Sequence, residues 1–176
     1  MAGYADAAVV PDVVRWVESS GGPLIAIPEA VLPFWAGADG DETSSDYDRV
    51  CEVDGDVGLL PVGDTRALVL GDEPASTAYL PEHGTFVRWY AADSETELLS
   101  GVPAALDSAV WGPELSWRVP GPVVLLDAVW PGRSLPETDH ARVELAPGHY
   151  GVSAARVSTG PETWLGLVRV RSQADV

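Results

Sequence analysis

Between Arg49 and Tyr90 the chain is a series of short apolar runs separated by turn residues, and that spacing restricts the fold more than any other feature. The runs are RVCEV (49–53), VGLLPV (57–62), ALVLG (67–71), TAYL (77–80) and FVRWY (86–90); the separators include DGD, GDT, GDEPAS and PEHG. Gly, Asp, Pro and Ser supply the backbone angles and local hydrogen bonds of tight turns. Parallel neighbours would need crossovers of a dozen or more residues. These gaps are too short, so the strands must form an antiparallel β-meander.

The pattern resumes with LSWRV (115–119), PVVLLDAV (122–129), ARVEL (141–145), YGVSAARV (150–157) and TWLGLVRV (163–170). STGPE joins the last two as a hairpin loop. Between the two series, SETELLSGVPAALDSAV has helical composition, with capping-box spacing at Ser94 and Glu97 and a break at Gly101 and Pro103. PDVVRWVES (11–19) reads as a short helix opened by Pro11. PLIAIP reads as a continuous apolar strand, EAVLPFW as a helical turn interrupted at Pro33, and AGADGDETSSDYD as an exposed acidic loop.

The two series echo one another. Trp16 leads to Gly22-Pro23 and an apolar run; Trp117 leads to Gly121-Pro122 and another. RVCEVDGDVGLL (49–60) is matched by RVELAPGHYGVS (142–153), and FVRWY by LVRVR (167–171). The expected architecture is one domain over 1–176, α+β and mostly β, built from two similar antiparallel β-meander halves packed together with one or two short helices. The first half is 15–90 with an acidic loop insertion, 91–114 is a helical connector, and the second half is 115–171.

Charge distinguishes the halves. The 176 residues hold 27 acids and 10 arginines, with no lysine. Residues 1–100 carry a net of −15 and residues 101–176 a net of −2; from Asp39 to Glu73 there are 11 acids and 2 arginines. Such a field repels nucleic acid and anionic membrane and attracts a basic partner. No apolar run approaches the roughly 18 residues of a membrane span, and the N-terminus lacks the pattern of a secretory signal. A soluble, cytoplasmic protein is expected.

Catalytic patterns are missing from the sequence. His83, His140 and His149 each sit in a turn-like setting without metal-ligand spacing. Cys51, the one cysteine, reads as a buried structural thiol. The order of an EF-hand loop is absent from the acidic stretch, and nothing selects a carboxylate pair for acid–base work. No metal, no cofactor and no enzyme activity is expected. Of the seven tryptophans, Trp89 and Trp164 are expected in the core. Trp35, beside the acidic loop, either anchors a partner or closes the bottom of the first sheet.

WVESSGGPLIAIP, followed by DYDRVC, GLLPVG and ALVLGDEPASTAYL, resembles the immunity protein 21 family. The resemblance implies a mostly-β cytoplasmic antidote, encoded beside a toxin in a bacterial polymorphic toxin system, that binds and neutralises that toxin. Its motif residues are Trp16, Gly22, Pro23, Asp46, Tyr47, Asp48, Arg49, Cys51, Gly71 and Asp72. Together with the charge pattern it points to a basic toxin, a nuclease first among candidates. The expected partner-binding residues are Trp35, Asp39, Asp41, Glu42, Asp46, Asp48, Asp54, Asp56, Asp72 and Glu73. The alternative is a β-sandwich-like ligand-binding or regulatory module with its site between the halves.

Overall fold

The computed structural model describes residues 13–40, 44–71 and 73–173. Among the described residues, ten strands form two antiparallel sheets of five. The first runs, in spatial order, β2 (Val57–Val62), β3 (Thr65–Leu70), β1 (Leu24–Pro28), β7 (Val123–Asp127) and β8 (His140–Val143). The second runs β4 (Thr77–Leu80), β5 (Thr85–Ala91), β10 (Thr163–Gln173), β9 (Gly148–Gly160) and β6 (Leu115–Val119). The mostly-β, two-sheet antiparallel architecture is the one read from the sequence.

The sheets face each other across a core. Leu24, Ala26, Leu68, Leu70, Val123 and Leu125 of the first sheet meet Phe86, Trp117, Val152 and Val168 of the second. Intervening residues point outward and are also covered. Ile25, Ile27, Val124 and Leu126 pack with Val31 of a 3-10 turn (Glu29–Phe34), with Trp35 and with Val50 of α1 (Asp46–Cys51). Val87, Leu165 and Leu167 pack with Leu98 of α2 (Glu95–Ser100) and with Val102 and Ala105 of α3 (Val102–Ser108). Four layers result. Central strands covered on both faces are apolar at consecutive positions, which is why LIAIP and VVLLD do not alternate. No helix among the described residues is long and apolar enough to cross a membrane.

The sequence echo has a spatial counterpart. The Gly-Pro strands β1 and β7 are antiparallel neighbours, with Ala26 opposite Leu125. The Val-Arg strands β5 and β10 are antiparallel neighbours in the other sheet, with Phe86 opposite Val168. Outward from these pairs, β3 flanks β1 as β8 flanks β7, and β4 flanks β5 as β9 flanks β10. Val17 bridges to β4 as β6 pairs with β9. The halves do not each form one sheet, however: both sheets draw strands from both halves. The central pairs join the halves edge to edge, so each half adds its apolar strands to a shared core.

Three local expectations are corrected. Residues 13–19 are not helical; Val17 exchanges both backbone hydrogen bonds with Thr77, at 2.8 and 3.0 Å. Pairing with an otherwise open edge satisfies the backbone of a Val-rich segment, and β-branched residues suit it. RVCEV is not a strand, because Arg49–Cys51 belongs to α1. Ser45 caps that helix: its hydroxyl accepts from the Asp48 N–H at 3.1 Å, and the Asp48 carboxylate accepts from the Ser45 N–H at 2.9 Å. A reciprocal cap satisfies two otherwise orphaned donors. Arg49-Val50 and Arg142-Val143 are therefore not structural equivalents; β3 holds the place matching β8. As part of α1, Cys51 lies exposed rather than buried.

Candidate protein-binding surface

The acids expected to face a partner have several structural occupations. Asp46 accepts from the Ala36 N–H at 2.8 Å and from Arg49 at 3.0 Å. Arg49 also donates to the Pro61 carbonyl at 2.9 Å, so Asp46 joins α1 to the start of the acidic loop and, through Arg49, to β2. Asp48 is the capping carboxylate, and the Ser45 backbone N–H followed by the Ser45 hydroxyl holds its pKa below the ordinary value. Asp39 and Asp54 are exposed, as are Glu52 and Asp64, and none of the four makes an ion pair among the described residues. Asp41, Glu42 and Asp72 lie outside the described residues.

Asp56 and Glu73 converge on Arg156 of β9. The guanidinium donates to Asp56 Oδ1 at 2.9 and 3.1 Å and to Glu73 Oε1 at 3.1 Å. It also lies over the Tyr90 ring, 5.1 Å from the centroid. The hydrogen bond to Asp56 is the main reason its pKa is raised above the usual guanidinium value. Beneath it Arg88, 1% exposed, donates to the carbonyls of Gly71 and Glu73 and to the Tyr90 hydroxyl, leaving Nε without a partner. Burial pushes the Arg88 pKa down and the Tyr90 pKa up. Arg88 thus secures the turn after β3, and Arg156 joins Glu73 of that turn to Asp56 of the turn before β2.

Of the two readings of Trp35 the structure fits the one that closes the first sheet, and Trp164 departs from its expected place. Trp35 is 1% exposed, and its indole N–H donates to the Ala128 carbonyl at 3.1 Å. It closes the outer face of the first sheet and offers no surface to a partner. Trp164, expected in the core, is 49% exposed. Thr163 and Leu165 point toward the helical layer, where Thr163 donates to Glu97 at 2.7 Å. Strand alternation therefore turns Trp164 to the inner face. There it stands next to the hairpin turn, beyond the cover of the first sheet.

A cleft of about 640 Å³ opens between edge strands β4 and β8, lined by Tyr79, Leu80, Ala141 and Val143. Its two arginines are engaged: Arg15 donates to the carbonyls of His140 and Glu137, and Arg142 pairs with Glu29 and Glu144. No cluster of three His, Cys, Asp or Glu side chains forms among the described residues. His140 Nδ1 lies 2.9 Å from the Pro136 carbonyl, and His149 is exposed on β9.

The fold presents a double-sheet scaffold that exposes acids of its first half, Asp39, Asp54, Asp64 and Glu73 among them, and the indole of Trp164. The model of immunity protein 21 matches residues 15–163, and the chain belongs to that family. No curated protein and no solved structure matches the chain. Several residues that carried the resemblance have structural work. Gly22 leaves room for Tyr47, whose hydroxyl would lie 2.1 Å from an added Cβ. Gly71 lets the 55–56 turn approach, since an added Cβ would meet the Gly55 carbonyl oxygen at 1.8 Å. Trp16 donates to Glu95 at 3.1 Å and packs edge-on against Trp89.

Sequence reasoning missed Trp164, Tyr90 and Arg156. A signal existed for the first: Trp164 lies two residues after STGPE, at a strand end. For Arg156, a lone cation in the apolar run YGVSAARV marked a polar spot, but its partners lie 83 and 100 residues away.

Proposed function

We propose that this chain is the cytoplasmic antidote of a basic toxin, which it neutralises by protein–protein binding rather than by catalysis. Membership of the immunity protein 21 family carries the reading. The acidity of the first half supports the sign of the partner. Asp39, Asp54 and Glu73 are exposed and Asp56 is part-exposed, and the stretch from Asp39 to Glu73 holds 11 acids against 2 arginines. Complementary charge speeds encounter and disfavours wrong partners. Nucleases are basic because they hold phosphates, so a nuclease toxin fits this surface best.

The test is the association rate with the toxin encoded beside this chain's gene, measured by stopped flow as salt is raised. The expected rate falls steeply, because attraction is screened within about 8–10 Å at roughly 0.10–0.15 M ionic strength. Asp39→Asn, Asp54→Asn and Asp56→Asn combined should slow it further, while Glu137→Gln with Asp139→Asn should matter less. A salt-independent rate, unchanged by the first-half substitutions, would remove the basic partner.

A further inference from the structure

We infer that the toxin docks on the exposed end of the second sheet's inner face, with a basic segment whose cation stacks on Trp164. The inference rests on the function proposed above. It is carried by a gradient along the paired strands β9 and β10. Val168 and Ala154 are opposite one another and belong to the core between the sheets. The next inward-facing pair is Gly166 and Arg156, where Tyr90 covers the glycine and Asp56 and Glu73 hold the arginine. The pair after that is Trp164 and Ser158. It lies about 7 Å further along the strands, and both residues are exposed.

Glycine at 166 is what allows this arrangement. An added Cβ there would stand 2.7 Å from the Tyr90 hydroxyl and 2.8 Å from the ring. With no side chain in the way, Tyr90 lies over β10 at Gly166, its ring against the guanidinium groups of Arg88 and Arg156. A β-bulge at this point, where Trp164 is opposite Ala91 and Leu165 is opposite Trp89, leaves Tyr90 without a partner on β10. Bulges re-aim side chains in this way.

The surface is preorganised. Thr163 is tied to Glu97 at 2.7 Å and the Ser158 hydroxyl to the Gly160 carbonyl at 2.7 Å, so the hairpin end is held on both strands. A rigid indole loses little entropy on binding. The exposed acids of the segments that meet at this end favour a cation over an anion. Asp54 and Glu73 are exposed on the first-sheet side, Asp93 follows two residues after Ala91, and Glu162 lies in the hairpin turn. Arg156 is already held by two carboxylates. An arginine or lysine over an indole gains cation–π attraction, and nearby carboxylates add to it. Tryptophan and tyrosine at the centre of such a patch are the residue types that dominate binding energy.

The experiment measures binding of the full chain to the adjacent toxin, inactivated and immobilised, at about 0.15 M salt. Trp164→Ala should raise Kd by about tenfold or more, mainly through faster dissociation. Ser158→Arg, which places a cation on the same row, should raise Kd similarly and also slow association. Phe34→Ala, at an exposed ring on the opposite outer layer, should leave Kd within about twofold. Thermal melts establish that each variant is folded; if Trp164→Ala is not, Ser158→Arg decides. Unchanged Kd in Ser158→Arg and in folded Trp164→Ala, with the unaltered chain binding, overturns this surface alone. No binding by the unaltered chain overturns the proposed function, and this inference with it.

Discussion

Arg156 donates to a single carboxylate oxygen of Asp56 through both Nε, at 3.1 Å, and Nη2, at 2.9 Å, across 100 residues of sequence. The contact joins the turn before β2 to the middle of β9, one sheet to the other. It also means that an acid readable as free surface charge is part of an internal network. The side chains of Arg156 and Asp56 are 38% and 40% exposed, so solvent screens the attraction. Arg156→Ala should therefore destabilise by only about 1 kcal/mol per lost pair at most. Urea unfolding at low and at about 1 M salt checks this, and the loss should shrink at high salt. A loss of several kcal/mol, insensitive to salt, would show that the pair acts as a buried one.

Trp35 should behave as core. Trp35→Ala should cost about 3–5 kcal/mol, the usual range for emptying a buried aromatic site. Trp35→Phe should still cost stability, since it leaves the Ala128 carbonyl without its donor. Denaturant midpoints compare the three proteins. If Trp35→Ala unfolds at the same midpoint as the unaltered chain, the ring is not buried in solution.

Gly71 and Gly148 make a paired test. At Gly71 an added Cβ meets backbone, the Gly55 carbonyl oxygen at 1.8 Å, while at Gly148 nothing lies within 4 Å. Gly71→Ala should destabilise by about 1–3 kcal/mol or more as the turn is forced away. Gly148→Ala should be near neutral, within about 0.5 kcal/mol. Equal melting temperatures for the two variants would mean that the 55–56 turn does not rest on β3 as described.

The Asp48 cap predicts a pH dependence. Its pKa is lowered in the folded chain, first by the Ser45 backbone N–H and then by the Ser45 hydroxyl. A depressed folded value means the ionised cap favours folding at neutral pH. That contribution is lost as pH falls below the ordinary aspartate value of about 3.9 and through the lowered one. Asp48→Ala should therefore melt below the unaltered chain at pH 7, and the gap should close in acid. A gap that is constant down to the acid limit would show that the ionised carboxylate does not supply the effect, since helix propensity favours alanine over aspartate.

The strands were legible because both signals that mark them are local. Short apolar runs such as VGLLPV and ALVLG, bounded by Gly and Asp, declare themselves without knowledge of the partner strand. The S-x-x-D spacing that caps α1 lies inside AGADGDETSSDYD, which reads as an acidic loop, and RVCEV carries β-branched valines that made the run resemble its neighbours. What decides it is the Ser45–Asp48 exchange, an effect of two residues outside the run. Sheet membership was not legible: nothing local says that β1 pairs with β7 rather than with strands of its own half only. The same holds at the surface. Trp35 and Trp164 both sit in apolar runs, but Trp35 is buried against the outer face of the first sheet, while the exposure of Trp164 depends on how far that sheet extends over the second. The acids of the first half were visible as charge, while the arginine that holds two of them lies in the other half.

The most direct test of the account is a titration of toxin activity. The purified toxin encoded beside this chain's gene is assayed on its own substrate while the purified chain is added. The account predicts that activity falls linearly and is abolished at a fixed stoichiometry, and that the chain with Trp164→Ala requires a large excess to reach the same end. Toxin activity that is undiminished by an excess of the unaltered chain would contradict it.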